Sequence, residues 1–259
     1  MHKKLGSVQI RFSSVCSREF ERDLYRPGVI SLSRLLWGSV GVGLQLTLLA
    51  VLSKSFGIPV LFPPLAATCF INCTCVYLRV ARPKPVIVGH FISALCGLAG
   101  VWLGMLLAGG TEFALPLQLG LSILFAAVMM QLFDADHPPA AATAVIPALL
   151  PLPMPTEMFP LYMAWGATFT ILFTFAWNRI WFEYPVKDDD HRTKYAGVFM
   201  EKPQVWGGGL CVAGFLLMSC RQIMPTLYVG GLWTMMAGVL IMGLHHFVAI
   251  LAGKPTDRC

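Results

Sequence analysis

His137-Pro138-Pro139-Ala140-Ala141-Ala142-Thr143, preceded by Asp134 and Asp136, lies between two long apolar runs. Tandem prolines cannot lie inside a regular helix, because each lacks an N–H and clashes with the preceding turn. They can open one, since the first N–H groups of a helix have no partner in any case. The stretch therefore predicts a helix that starts at Pro138, with a histidine and two acids at its mouth. How unusual that is depends on what surrounds it.

Outward from this point the chain is strongly apolar. Of its 259 residues 56% are hydrophobic and only 12% charged, against about 25% charged in an ordinary soluble domain. That places it in the polytopic membrane class, with the lipid bilayer as its surroundings. The net charge of +6 does not point to nucleic acid, because the lysines and arginines gather at the ends of apolar runs as the positive-inside bias requires. Residues 1–34 carry seven basic and three acidic residues and read as a cytoplasmic tail. The eight cysteines lie mostly within apolar runs, where a thiol packs as a small apolar group. Cys69, Cys73 and Cys75 cluster, but without a histidine, an acid or a CxxC spacing. No metal and no cofactor is expected from them.

Apolar segments follow at about 35–52, 64–78, 86–108, 117–133, 140–152, 158–180, 206–220 and 227–252. Two are short and follow a Pro-Pro pair. From Pro64 to Leu78 a helix reaches roughly 22 Å, less than a hydrocarbon core of about 30 Å. Those pairs, Pro63-Pro64-Leu65-Ala66-Ala67-Thr68 and Pro138-Pro139-Ala140-Ala141-Ala142-Thr143, match at five of six positions with an offset of 75 residues. The same offset carries the first span onto the fourth, and Pro85 onto Pro160. The expected architecture is an all-α polytopic transmembrane bundle. It holds two three-helix repeats (about 35–108 and 110–182), a cytoplasmic linker (183–205) and two added spans within 206–259. An odd number of crossings per unit makes the second copy inverted. Charge agrees: if 140–152 crosses, Lys54 and Arg221 alone among 19 Lys and Arg fall opposite the termini. Both termini are then cytoplasmic.

Inverted units with interrupted helices are an architecture of secondary transporters. Their helix starts within the membrane present backbone N–H groups and a positive dipole end, which suit an anion. The expected substrate contacts are His137, Pro138, Pro139 and Thr143 from one unit, with Pro63, Pro64 and Thr68 from the other. His137 titrates near neutrality when unperturbed and is the candidate proton-coupling group, with Asp134 or Asp136 orienting it. Ordinary helix capping accounts equally well for the two acids. His90, near Arg82 and Lys84, reads as interfacial, yet an inverted unit brings it towards the same vestibule, and it joins His137, Asp134 and Asp136 as a proton-coupling candidate. His245-His246 and the triplet Asp188-Asp189-Asp190 read as interfacial and linker residues.

The His137-Pro138-Pro139 stretch, with Arg82-Pro83-Lys84-Pro85-Val86-Ile87-Val88-Gly89-His90 one helix upstream, resembles the HPP family of integral membrane proteins over roughly residues 35–182. The resemblance implies transport, and relatives in plant plastids and cyanobacteria imply nitrite as the substrate. This chain departs from them in its acidic N-terminal tail, at Phe62-Pro63-Pro64 and in its last two spans. The expectation is a permease for a small inorganic anion, nitrite first, in a bacterial inner membrane, with a homo-oligomer compatible with its glycine-rich helix faces. An anion channel is the alternative. A membrane enzyme is the less favoured third class, since no HExxH, Ser–His pair or phosphate loop is present.

Overall fold

The computed structural model describes residues 9–11, 29–75, 78–181, 194–195, 198–199 and 201–251. Most of the N-terminal tail, the acidic triplet at 188–190, Cys16 and Cys259 lie outside the described residues. Nine helices carry the described part: α1 Leu32–Phe56, α2 Pro63–Thr74, α3 Pro83–Ala108, α4 Ala114–Leu132, α5 Pro138–Thr143, α6 Ile146–Leu149, α7 Phe159–Trp181, α8 Lys202–Ser219 and α9 Pro225–Leu251. Of two short strand pairs, β1 (Gln9–Arg11) with β2 (Val29–Ser31) precedes α1 and β3 (Lys194–Tyr195) with β4 (Val198–Phe199) falls between α7 and α8. Five of the helices are long and apolar enough to cross a membrane: those over Leu35–Phe56, Pro83–Ala108, Ala114–Leu132, Thr156–Asn178 and Pro225–His245. α8 begins at Lys202, inside the segment expected to be linker.

Both short helices begin at the first proline of their pair. The residue before a proline is pushed out of the helical region by the proline ring. Phe62 (φ −112°, ψ 150°) and His137 (φ −141°, ψ 99°) are accordingly extended and stand just outside their helices. α2 ends at Thr74, and α5 with α6 ends at Leu149, so the two stretches have equal length at the 75-residue offset. α2 is continuous, whereas the second breaks into turns at Ala144 and Val145, just before Pro147.

Close contacts fix the helix directions. Small residues on α3 let α4 approach: a Cβ at Gly100 would stand 2.4 Å from Ser122 Oγ, and one at Gly104 2.6 Å from Gln118 Cγ. α3 and α4 are therefore antiparallel. α5 runs along α3, with Ala140 beside Gly89 and Ala144 beside Gly97. α2 runs along α7, with Leu65 beside Gly166 and Asn72 bonded to Thr170. α9 passes Tyr162 near its start and Val88 near its end, so α7 runs opposite to α3. It follows that α2 and α5 point in opposite directions, each lying along the long helix that follows the other. The end carrying Arg79, Arg82 and Lys84 is the near end, and the opposite one the far end. α8 and α9 form an antiparallel pair closed by Gly207, Gly214, Gly231 and Gly238.

Candidate functional site

Thr68 and Thr143 occupy the same place in the two repeated segments, and the burial of the segments agrees position by position. Pro63 and Pro138 are exposed, Pro64 and Pro139 buried, Leu65 and Ala140 buried, Ala67 and Ala142 exposed. That register turns both threonines inward onto one side chain, His90 of α3. His90 Nε2 lies 2.7 Å from Thr68 Oγ1, and His90 Nδ1 lies 2.8 Å from Thr143 Oγ1. Thr68 Oγ1 is also 2.9 Å from His137 Nε2, while His137 Nδ1 lies 2.7 Å from the carbonyl of Val80. The imidazole rings are edge to face with centroids 5.3 Å apart. Thr68, His90 and Thr143 are 0% exposed and His137 1%.

These contacts permit one arrangement of protons when both imidazoles are neutral. A carbonyl oxygen only accepts, so His137 donates to Val80 from Nδ1 and its Nε2 must accept. Thr68 then donates its hydroxyl proton to His137 Nε2 and accepts from His90 Nε2–H. His90 Nδ1 is left to accept from Thr143. The result is a single-direction chain, Thr143 to His90 to Thr68 to His137 to Val80. A proton added at His137 Nε2 reverses one link only. Thr68 then turns its hydroxyl to the Pro64 carbonyl, 3.0 Å away, and accepts from both imidazoles. Two protonation states thus fit one set of heavy-atom positions, and the Thr68 hydroxyl rotor is what differs.

Several expectations are corrected. His90 is not interfacial: it sits seven residues into α3, about 10 Å from the helix start, with both ring nitrogens bonded in the interior. Neither acid orients His137, whose nitrogens are taken by Thr68 and Val80. Asp136 is exposed. Asp134 pairs with Arg79 and lies 3.9 Å from Lys84. Nor does it cap the start of a helix. With φ +54° it is the left-handed residue that closes α4, between the bonds Asp134 N–H to Gln131 O (3.1 Å) and Ala135 N–H to Met130 O (2.8 Å).

The helix starts also offer less to an anion than expected. Prolines supply no N–H, and the third residue of each helix already donates: Leu65 to Phe62 O at 3.0 Å and Ala140 to His137 O at 2.8 Å. What faces the interior of the site is imidazole and hydroxyl. Sequence reasoning also passed over a second buried polar track on α1, α2 and α7. Gln45 Nε2 bonds Thr170 O (2.6 Å), Asn72 Nδ2 bonds Thr170 Oγ1 (3.3 Å), and Asn178 Nδ2 reaches Asn72 O (3.5 Å). The Oδ1 atoms of Asn72 and Asn178 are buried with no partner. Uncharged amides inside apolar runs were the signal available for this track.

A sequence profile for the HPP transmembrane region matches residues 27–185, which ends before α8 and α9. A human protein, the peroxisomal leader peptide-processing protease, is 28% identical over 145 residues, or 56% of this chain and 19% of that protein. The chain therefore spans about a fifth of the curated relative it matches. No solved structure matches it.

Proposed function

The chain belongs to the HPP family of transmembrane proteins, a membrane family to which transport is attributed, and from that premise we propose that it is a proton-coupled permease for a small inorganic anion. The observation that carries the reading is the buried Thr68–His90–His137–Thr143 network. Ionisable groups are costly within a membrane bundle and mark ion or proton pathways there. These join two short helices that point in opposite directions, as the half-helices of inverted-repeat transporters do. The equal lengths, matched burial and 75-residue offset of α2 and α5–α6 support the reading of an inverted repeat. In this reading His137 takes up the coupling proton and Thr68 relays its arrival to His90. Nitrite is the substrate that the family resemblance favours, and the charge distribution favours an inner-membrane protein with both termini in the cytoplasm.

The reading is tested with purified protein in liposomes. Nitrite uptake is expected to saturate, to be driven by an inward proton gradient, and to collapse when His137 is replaced by alanine. Conductance that rises linearly with nitrite and ignores the pH gradient would instead identify a channel.

A further inference from the structure

At the far end of the bundle a cavity of about 390 Å³ has two cations, Lys54 and Arg221, in its lining. Its two cations come from unrelated parts of the chain: Lys54 closes α1, and Arg221 lies in the turn between α8 and α9. They are also the two basic residues that charge counting puts opposite all the others. Neither has a carboxylate partner among the described residues. Glu157 is exposed two residues beyond Pro155 and does not line the cavity.

Arg221 is held in place. It donates to the Gly57 carbonyl, and its guanidinium carbon lies 5.9 Å from the Tyr162 ring centroid and 5.4 Å from that of Tyr228. The two tyrosine hydroxyls are 2.6 Å apart and tie α7 to α9. A guanidinium has five N–H donors, and Gly57 accounts for one. Much of the rest of the lining is apolar (Pro59, Leu61, Pro153, Met154 and Pro155), and a cleft of one charge sign with low-dielectric walls focuses its field. Lining residues Pro59 and Leu61 belong to the stretch that leads from Gly57 into Pro63, the start of α2.

We propose that this cavity is an anion-capture vestibule, in which Lys54 and Arg221 bind a small, partly hydrated monovalent oxyanion. The backbone donors missing at the Pro-Pro helix starts leave recognition of negative charge to side chains, and these are the two cations at this mouth. Arg221 lies outside the segment matched to the family, so the added helices α8 and α9 bring this chain a binding residue of its own. The vestibule takes its purpose from the permease reading, but its occupancy is measured apart from transport.

The test is equilibrium binding of sodium nitrite and sodium nitrate to the full chain in detergent, at constant ionic strength with gluconate, followed by tryptophan fluorescence and thermal unfolding. Wild type is expected to show a saturable response. K54Q, which breaks no side-chain hydrogen bond among the described residues, is expected to weaken affinity roughly fivefold, as loss of one nearby charge does. R221K retains charge and is expected to bind within a few-fold of wild type, whereas K54Q/R221Q loses the saturable response. Unchanged affinity in K54Q/R221Q, or no saturable response in wild type, overturns the vestibule. Failure of proton-driven uptake with anion binding intact overturns the permease reading and leaves the vestibule standing.

Discussion

The two short helices are built alike and loaded differently. Each follows a long helix that ends in a left-handed residue: Gly57 after α1 (φ +64°) and Asp134 after α4 (φ +54°). The same pair of closing bonds is present in both, with Ile58 N–H to Ser53 O at 3.0 Å matching Ala135 N–H to Met130 O at 2.8 Å. Each then runs extended into a Pro-Pro start and turns a threonine onto His90. The asymmetry lies in what the matched positions hold. Phe62 stands where His137 does, and its ring packs edge-on against Phe159 with centroids 5.8 Å apart. Of the two helix starts only one carries a titratable residue, and it is the one whose helix breaks. Two helix starts of like geometry, pointing opposite ways, thus differ in the side chain that precedes them.

Removing the residue that both halves share is expected to have the largest effect. His90→Ala strands the Thr143 hydroxyl and removes one of Thr68's two imidazole contacts. It should cost about 2–4 kcal/mol by the penalty for unsatisfied buried groups and abolish uptake, measured by unfolding in detergent and by liposome flux. Next comes His137→Gln, which keeps a donor for Val80 but no titratable ring. Uptake driven by a pH gradient should fall roughly 100-fold, the scale on which proton-transfer groups act, with folding retained. Gradient-driven uptake at wild-type rate in this variant would show that the asymmetry between Phe62 and His137 carries no coupling.

The two threonines offer a finer comparison. Thr68→Val removes partners from two imidazoles and should cost about 2–3 kcal/mol, whereas Thr143→Val removes one and should cost about 1–2 kcal/mol. Equal losses in unfolding free energy would contradict the hub role of Thr68. The smallest effects are at the helix ends. Gly57→Ala puts a Cβ into the left-handed region and should destabilise by about 1–2 kcal/mol. Asp134→Gly relieves that same strain while giving up a partly exposed ion pair of roughly 0–1 kcal/mol, so thermal stability should barely move.

Much of the frame was legible in the residues. Apolar runs located each helix to within a few positions, because hydropathy and proline exclusion act locally. The five-of-six match at Pro63 and Pro138 identified the two segments that meet at one site. His137 was singled out because a histidine at a Pro-Pro start is conspicuous. The role of His90 was only half readable: beside Arg82 and Lys84 in sequence it looks interfacial, its place among the proton-coupling candidates rested on the inverted repeat, and only the crossing of α2 and α5 on either side of α3 turns it into a bridge. Asp134 and Asp136 misled for the converse reason. Adjacency along the chain put them beside His137, but the left-handed turn at Asp134 points its carboxylate to Arg79 and Lys84 instead.

The sequence by itself determined that this is a bundle of membrane helices with two Pro-Pro-started segments in register, and that Lys54 and Arg221 stand apart from the other cations. Those properties follow from composition, from the missing N–H of proline and from charge order, all of which act along the chain. Tertiary structure alone decided that one histidine joins Thr68 to Thr143, that Val80 sets the proton pattern of His137, and that Lys54 and Arg221 line the same cavity. Each of these pairs residues distant in sequence, and which side chains meet is fixed by helix direction and close packing rather than by any local pattern.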